Sequence, residues 1–147
     1  MNDFKNRQSA EILQSVYKNA DMAYKSSGDV LVHCKNQKLH DEISSQLDRY
    51  RSVASQARAE LVRRGSVPKP YPPYAKAMAK MGIEMKTLQD PSTQKLAELM
   101  VRGTTMGIID MQHALNRSSK AEERIRSEAD KLLKREQDYC DRLKKYL

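Results

Sequence analysis

Apolar residues recur every three or four positions through four long stretches of the chain, a spacing that places them along one face of an α-helix. Leu13, Val16 and Ala20 belong to the first series, and Leu39 and Ile43 to the second. Aromatic residues make up 5% of the chain and tryptophan is absent, a composition that suits helices better than strands. The periodicity predicts helices over residues 9–34, 38–64, 91–116 and 119–147.

Short polar or glycine-containing segments separate these predicted helices. The polar break Lys35–Lys38 ends the first helix, and Gly65 follows the second in the position where glycine commonly ends a helix. Asp90–Pro91 is predicted to open the third helix, with the aspartate as N-cap and the proline in the first helical position. Ser119 and Glu122 have the spacing of a capping box and are predicted to open the fourth helix.

A proline-rich connection, residues 65–90, divides the helices into two pairs. The segment Gly65–Tyr74 contains four prolines, so it cannot form a helix or a central strand. Ala75–Gln89 is expected to form a short additional helix whose methionine-rich face carries Met78, Met81 and Met85.

The 147 residues are enough for one domain with its own core, so residues 1–147 are predicted to form a single all-α four-helix bundle. Helices joined by short links form antiparallel hairpins. Two hairpins connected by one long crossover constitute the ferritin-like arrangement. An up-down-up-down bundle, with the proline segment as a surface excursion, is the alternative.

The segment MAKMGIEMKTLQDPSTQKLAELMVRGTTMGIIDM, together with the closing LKKYL, resembles a group of small uncharacterised ferritin-like proteins of clostridia and related Firmicutes. The resemblance is best over residues 78–115 and looser over the first two predicted helices. It implies a ferritin-like four-helix bundle in a bacterial cytoplasm. It implies no established activity.

Ferritin-like di-iron proteins take a glutamate from each of two helices and an ExxH pair from each of the other two. This chain has three histidines, and only Asp110 and His113 have a comparable spacing. Glu136, on the apolar face of the fourth helix, is the third candidate ligand. We expect Asp110 and His113 to form a rim pair, and Glu136 to have a partial salt bridge or a water-filled pocket. The prediction is therefore no cofactor, with a mononuclear or vestigial metal site as the alternative.

Gly103 and Gly107 are four residues apart in the third predicted helix, although each glycine costs about 1 kcal/mol there relative to alanine. Their spacing places two missing side chains on one face. We expect them to let the backbone of the first helix approach closely, near the small residues Ala20, Ala23 and Ser27. The alternative is a flat surface on which a ligand or another subunit docks.

The formal net charge of +8 is concentrated between Arg49 and Lys86, a segment that contains nine basic and two acidic residues. Basic side chains near tyrosines can hold nucleic acid strands or acidic membranes. A solvated basic face is the preferred interpretation. The predicted basic patch consists of Arg51, Arg58, Arg63, Arg64, Lys69, Lys76 and Lys80.

Several classes of protein are excluded by what the sequence lacks. It has no apolar run of 18 residues, so no transmembrane segment is predicted, and its first residues have no apolar core of a signal peptide. Cys34 and Cys140 form no CxxC motif and are expected to be reduced thiols, with a disulfide as the alternative. No catalytic constellation is present, so an enzyme is not favoured.

The sequence therefore predicts a non-enzymatic cytoplasmic protein that acts through self-association, as a homo-oligomer, or through a protein partner. One alternative is a degenerate ferritin-like metal-binding protein or a structural protein of the spore-coat type. The other alternative is anion binding, to nucleic acid or acidic membrane, through residues 49–86.

Overall fold

The computed structural model describes residues 2–70 and 91–147. These residues form four α-helices and no strand, which confirms the all-α prediction. None of the four helices is both long and apolar enough to span a membrane. The helices are α1 (Asn2–His33), α2 (Gln37–Arg63), α3 (Thr93–Arg117) and α4 (Glu123–Lys144).

Both ends of α2 are capped, at Asn36 and at Gly65. The side chain of Asn36 accepts a hydrogen bond from the Leu39 amide at 3.0 Å, which satisfies a backbone donor of the first turn. At the other end Gly65 has a φ of 76°, and its amide bonds the Val62 carbonyl at 3.0 Å. The Ser66 amide bonds the Leu61 carbonyl at 2.9 Å, completing a Schellman motif. The predicted helix end at Gly65 is confirmed.

The start of α3 differs from the prediction. Ser92 is the N-cap, and its hydroxyl accepts a hydrogen bond from the Lys95 amide at 3.0 Å. Pro91 therefore precedes the cap and does not occupy the first helical position. Asp90 lies outside the described residues. Serine and aspartate are both good caps, and the serine hydroxyl is the one placed to reach the free amides.

The capping box predicted for α4 is wrong. Glu122 itself occupies the N-cap position and makes no side-chain cap, while Ser119 lies in an exposed turn. The Glu122 carboxylate is bound to Arg64, and the Glu122 amide donates to the Ser9 hydroxyl at 2.9 Å. Contacts with α1 and α2 therefore replace the local capping interaction, and α4 begins four residues later than predicted.

Two apolar clusters lie one above the other along the bundle, and each draws on all four helices. The first cluster joins the N-terminal halves of α1 and α4 to the C-terminal halves of α2 and α3, and the second occupies the opposite end. The first contains Ile12, Leu13, Val16, Tyr17, Ala20, Ala54, Ala57, Leu61, Met111, Leu115, Ala121, Ile125, Ala129 and Leu133, and the second Val30, Leu39, Ile43, Tyr50, Leu96, Leu99, Met100, Tyr139 and Leu143.

The first residues after α2 lie against α1. The Gln14 side chain donates to the Val67 carbonyl at 2.7 Å and accepts from the Lys69 amide at 2.9 Å. This pair of hydrogen bonds holds residues 67–69 along the outer side of α1. The expected short helix, Ala75–Gln89, and its methionine-rich face lie outside the described residues.

Candidate functional site

A buried carboxyl group lies between α2 and α4, where the two apolar clusters meet. Glu136 falls on the apolar face of α4, and only 6% of its surface is exposed. The Tyr50 hydroxyl of α2 donates to its Oε2 atom at 2.7 Å. Burial disfavours the charged form and raises the pKa of Glu136 to about 7. Glu136 is therefore a group that exchanges a proton near neutral pH inside the bundle.

Of the two alternatives expected for Glu136, a partial salt bridge or a water-filled pocket, the salt bridge is not formed among the described residues. Among the described residues Glu136 forms no ion pair with a lysine or arginine, and its partner is the neutral hydroxyl of Tyr50. Lys131, Lys134 and Arg135, the basic residues of α4 nearest to Glu136, are exposed to solvent, whereas position 136 faces the core. Tyr50 was not identified from the sequence as the partner of Glu136. The available signal was that Glu136 and Tyr50 each occupy the apolar face of a helix, where a buried carboxyl group and a tyrosine hydroxyl both need a hydrogen-bond partner.

A second buried tyrosine completes this polar layer. The Tyr139 ring packs edge-on against Tyr50, with ring centroids 6.3 Å apart and planes at 66°. Its hydroxyl is buried and has no hydrogen-bond partner in the part of the chain that the structure describes. Arg142, which is paired with Glu42, stacks over the same ring at 5.8 Å. Burial raises the pKa of both tyrosines, so both remain neutral hydroxyl groups.

Asp110 binds α1 and forms no pair with His113. Its Oδ2 atom accepts hydrogen bonds from Ser15 and Asn19, both at 2.7 Å, and lies 3.3 Å from the Lys18 ammonium. Burial opposes ionisation of Asp110, but these hydrogen bonds and the Lys18 charge outweigh it and lower the pKa. His113 is exposed to solvent. The expected rim pair of Asp110 and His113 is therefore not formed.

The three candidate metal ligands do not come together. In residues 2–70 and 91–147 no group of three or more His, Cys, Asp or Glu side chains is arranged to hold a metal ion. Asp110 faces α1, His113 faces solvent, and Glu136 faces Tyr50.

The glycines of α3 do not permit the close backbone approach that we expected, so that prediction is wrong. A Cβ atom added at Gly103 would meet no atom of the described residues within 4 Å. At Gly107 it would meet the side chain of Asn19 at 3.6 Å, which is an ordinary van der Waals contact. The neighbouring helix is α1, as predicted, but a side chain fills the interval between the two backbones. The alternative of an open surface fits Gly103.

Arg64 does not belong to a solvent-facing basic patch. Its guanidinium forms two hydrogen bonds with Glu122, at 3.1 and 2.7 Å, and a third with Asn6 at 2.7 Å. The hydrogen bonds from Arg64, together with its charge, hold the pKa of the Glu122 carboxyl below its usual range. Arg64 therefore fixes the end of α2 to the start of α4 and to α1.

The other described members of the predicted basic patch are exposed, and two of them pair within α2. Arg51 lies 3.7 Å from Asp48, and Arg63 lies 2.6 Å from Glu60. Arg58 and Lys69 are also exposed. Lys76 and Lys80 lie outside the described residues.

Cys34 and Cys140 are free thiols. Burial raises the pKa of Cys34, whereas a nucleophilic cysteine requires a lowered pKa. Cys140 is buried, with the Thr105 hydroxyl 3.7 Å from its sulfur.

No protein-family model, curated protein or solved structure matches the chain.

Proposed function

We propose that the chain is a ferritin-like four-helix bundle that works without catalysis in the cytoplasm, by associating with a second copy of itself. Support for the ferritin-like arrangement comes from contacts between α1 and α3. The Gln8 amide group donates to the Arg117 carbonyl at 3.4 Å, and Asn19 donates to Asp110 at 2.7 Å. Early residues of α1 thus meet late residues of α3, as expected for helices that run in opposite directions.

Contacts between α2 and α4 support the same arrangement. Tyr50 pairs with Glu136, and Glu60 with Arg124 at 3.2 Å, so early residues of one helix again meet late residues of the other. With a three-residue link between α1 and α2, α2 and α3 then run in the same direction. A long connection between parallel helices distinguishes the ferritin-like arrangement from the up-down-up-down alternative.

The interactions of the polar candidate residues support a structural role. Asp110 ties α3 to α1, Glu136 accepts from Tyr50 of α2, and Arg64 joins α2 to Glu122. Each of these groups forms hydrogen bonds with a residue of another helix or of the turn before it. Such contacts stabilise a bundle and leave little capacity for a substrate.

The observation that carries the proposal is an exposed apolar surface on α3. Met106 and Ile109 are 48% and 50% exposed, and they are three residues apart on one side of the helix. Gly103, three residues before Met106, adds an open position with no side chain. Apolar side chains next to a flat position form a surface on which another helix can pack closely. The same surface of a second copy offers a complementary partner, as in a two-fold symmetric dimer.

The test is the molar mass of the purified chain measured by light scattering over a range of concentrations. We expect a dimer whose dissociation is strongly favoured by the double substitution Met106→Asp and Ile109→Asp. The matched control, Val32→Asp and Val62→Asp, adds the same charge at two other exposed apolar positions and should leave the dimer intact. A monomer at every concentration, or a dimer that resists the α3 substitutions, would contradict the proposal.

A further inference from the structure

A groove of about 680 Å³ runs between α1, α3 and the first residues after α2. Its volume is in the range of sites that bind small molecules. Four basic and two acidic side chains line it together with neutral polar groups. The charged residues are Arg7, Lys18, Lys69, Arg117, Glu11 and Asp110.

The two acidic groups of the groove are engaged within the protein. Asp110 accepts hydrogen bonds from Ser15 and Asn19 and lies beside Lys18, so its charge is largely compensated. Glu11 accepts a hydrogen bond from the Ser118 hydroxyl at 3.1 Å. These contacts reduce the repulsion that an incoming anion would meet.

The other three basic side chains that line the groove are not neutralised by carboxylate groups of the described residues. Arg7, Lys69 and Arg117 form no ion pair with any carboxylate in residues 2–70 and 91–147. Gln14 holds the Lys69 backbone against α1, and Gln8 holds the Arg117 carbonyl. Three cationic side chains from three separate segments thus line one concave surface.

We propose that this groove binds a small compound carrying several phosphate groups. The guanidinium groups of Arg7 and Arg117 match phosphate oxygens in two-pronged hydrogen bonds, and the Lys69 ammonium adds a point charge. None of the described residues that line the groove is aromatic. Stacking on an aromatic ring is how single-stranded nucleic acids are commonly held, so the lining favours phosphate groups over nucleobases. Lys69 belongs to the basic segment 49–86 that the charge distribution of the sequence indicated, whereas Arg7 and Arg117 lie outside it.

The test is isothermal titration of the full chain with sodium tripolyphosphate at low salt and at physiological ionic strength. We expect saturable binding that weakens with salt, and a loss of about tenfold or more in affinity for the double variant Arg7→Gln and Arg117→Gln, because each charge-assisted hydrogen bond contributes about that factor. The matched control is Arg58→Gln with Arg135→Gln, which removes the same charge from exposed positions on α2 and α4.

Far-ultraviolet circular dichroism and thermal unfolding establish that both double variants fold, and Lys69→Gln provides an independent variant of the groove. Equal weakening in the groove and control variants would overturn the proposal, because binding would then follow net charge alone. Absence of saturable binding by the unsubstituted chain would also overturn it. A single-stranded oligonucleotide that binds more tightly than tripolyphosphate through the same two arginines would make nucleic acid the ligand, and would overturn it as well.

Discussion

Replacing Glu136 with glutamine is expected to stabilise the protein above neutral pH. Glutamine has nearly the same shape, and its carbonyl oxygen can accept the hydrogen bond that Tyr50 donates to Glu136 at 2.7 Å. Unlike the carboxyl group, the amide carries no charge at any pH. The substitution therefore removes only the cost of holding a charge in the buried layer between α2 and α4.

The magnitude follows from the raised pKa. Glu136 has a pKa of about 7 in the folded protein, against 4.5 for an exposed glutamate. Between these two values the folded protein binds a proton that the unfolded chain has released, so the free energy of unfolding falls as the pH rises. With 1.36 kcal/mol for each pH unit, the loss attributable to Glu136 reaches about 3 kcal/mol above pH 7. Glu136→Gln should recover about that amount at pH 8 and almost none at pH 4.5.

Urea unfolding followed by circular dichroism, at pH 5 and pH 8, measures this difference directly. Glu128→Gln is the control, because Glu128 is an exposed residue of the same helix and its one ion pair among the described residues is with Arg124, at 3.5 Å. Exposed pairs of this kind contribute about 0–1 kcal/mol. A gain from Glu136→Gln that is equal at the two pH values would refute the reasoning, since it would mean that Glu136 titrates alike in the folded and unfolded chains.

Three further substitutions test other contacts by urea unfolding at pH 7. Gly103→Ala should raise the free energy of unfolding by up to about 1 kcal/mol, because the position is open and alanine favours the helix. A lower free energy of unfolding would instead support close packing at Gly103. Asp110→Ala should cost about 1–3 kcal/mol, because Ser15 and Asn19 lose their acceptor, and a neutral result would make those hydrogen bonds unimportant. Ser92→Ala should cost about 1 kcal/mol as a lost N-cap, whereas the control Ser119→Ala should cost nothing, and the reverse order would support the capping box.

The helices could be predicted from the sequence because the three- and four-residue spacing of apolar residues persists over many turns. Local caps were less predictable. Gly65 ends α2 as expected because only a residue tolerant of positive φ suits that position. The capping box failed because Glu122 binds Arg64, a residue 58 positions earlier in the chain. A capping signal that involves a charged side chain depends on which distant charges are nearby, and a local pattern does not contain that information.

The same reason explains why only half of the candidate site could be predicted. The apolar surroundings of Glu136 are visible in its helical spacing, and they correctly predict that its charge is costly. Its partner Tyr50 lies 86 residues away, so the choice between a tyrosine and a basic residue depends on how α2 and α4 align. Of the groove around Arg7, Lys69 and Arg117, only Lys69 was singled out from the sequence, because the groove residues come from three separate segments with no common pattern.

The buried polar layer of Tyr50, Glu136 and Tyr139 lowers the free energy of unfolding by about 3 kcal/mol above neutral pH. Its contribution to the structure is to align α2 with α4. Apolar contacts alone discriminate weakly against sliding of one helix along another, because hydrophobic side chains of similar volume can pack in several arrangements. The bond between Tyr50 and Glu136 does not tolerate it. A shift of one helical turn, about 5.4 Å, would separate donor from acceptor and leave a carboxyl group buried without a partner. The layer therefore favours one alignment of the two helices, which is the role best established for buried polar groups in helical bundles.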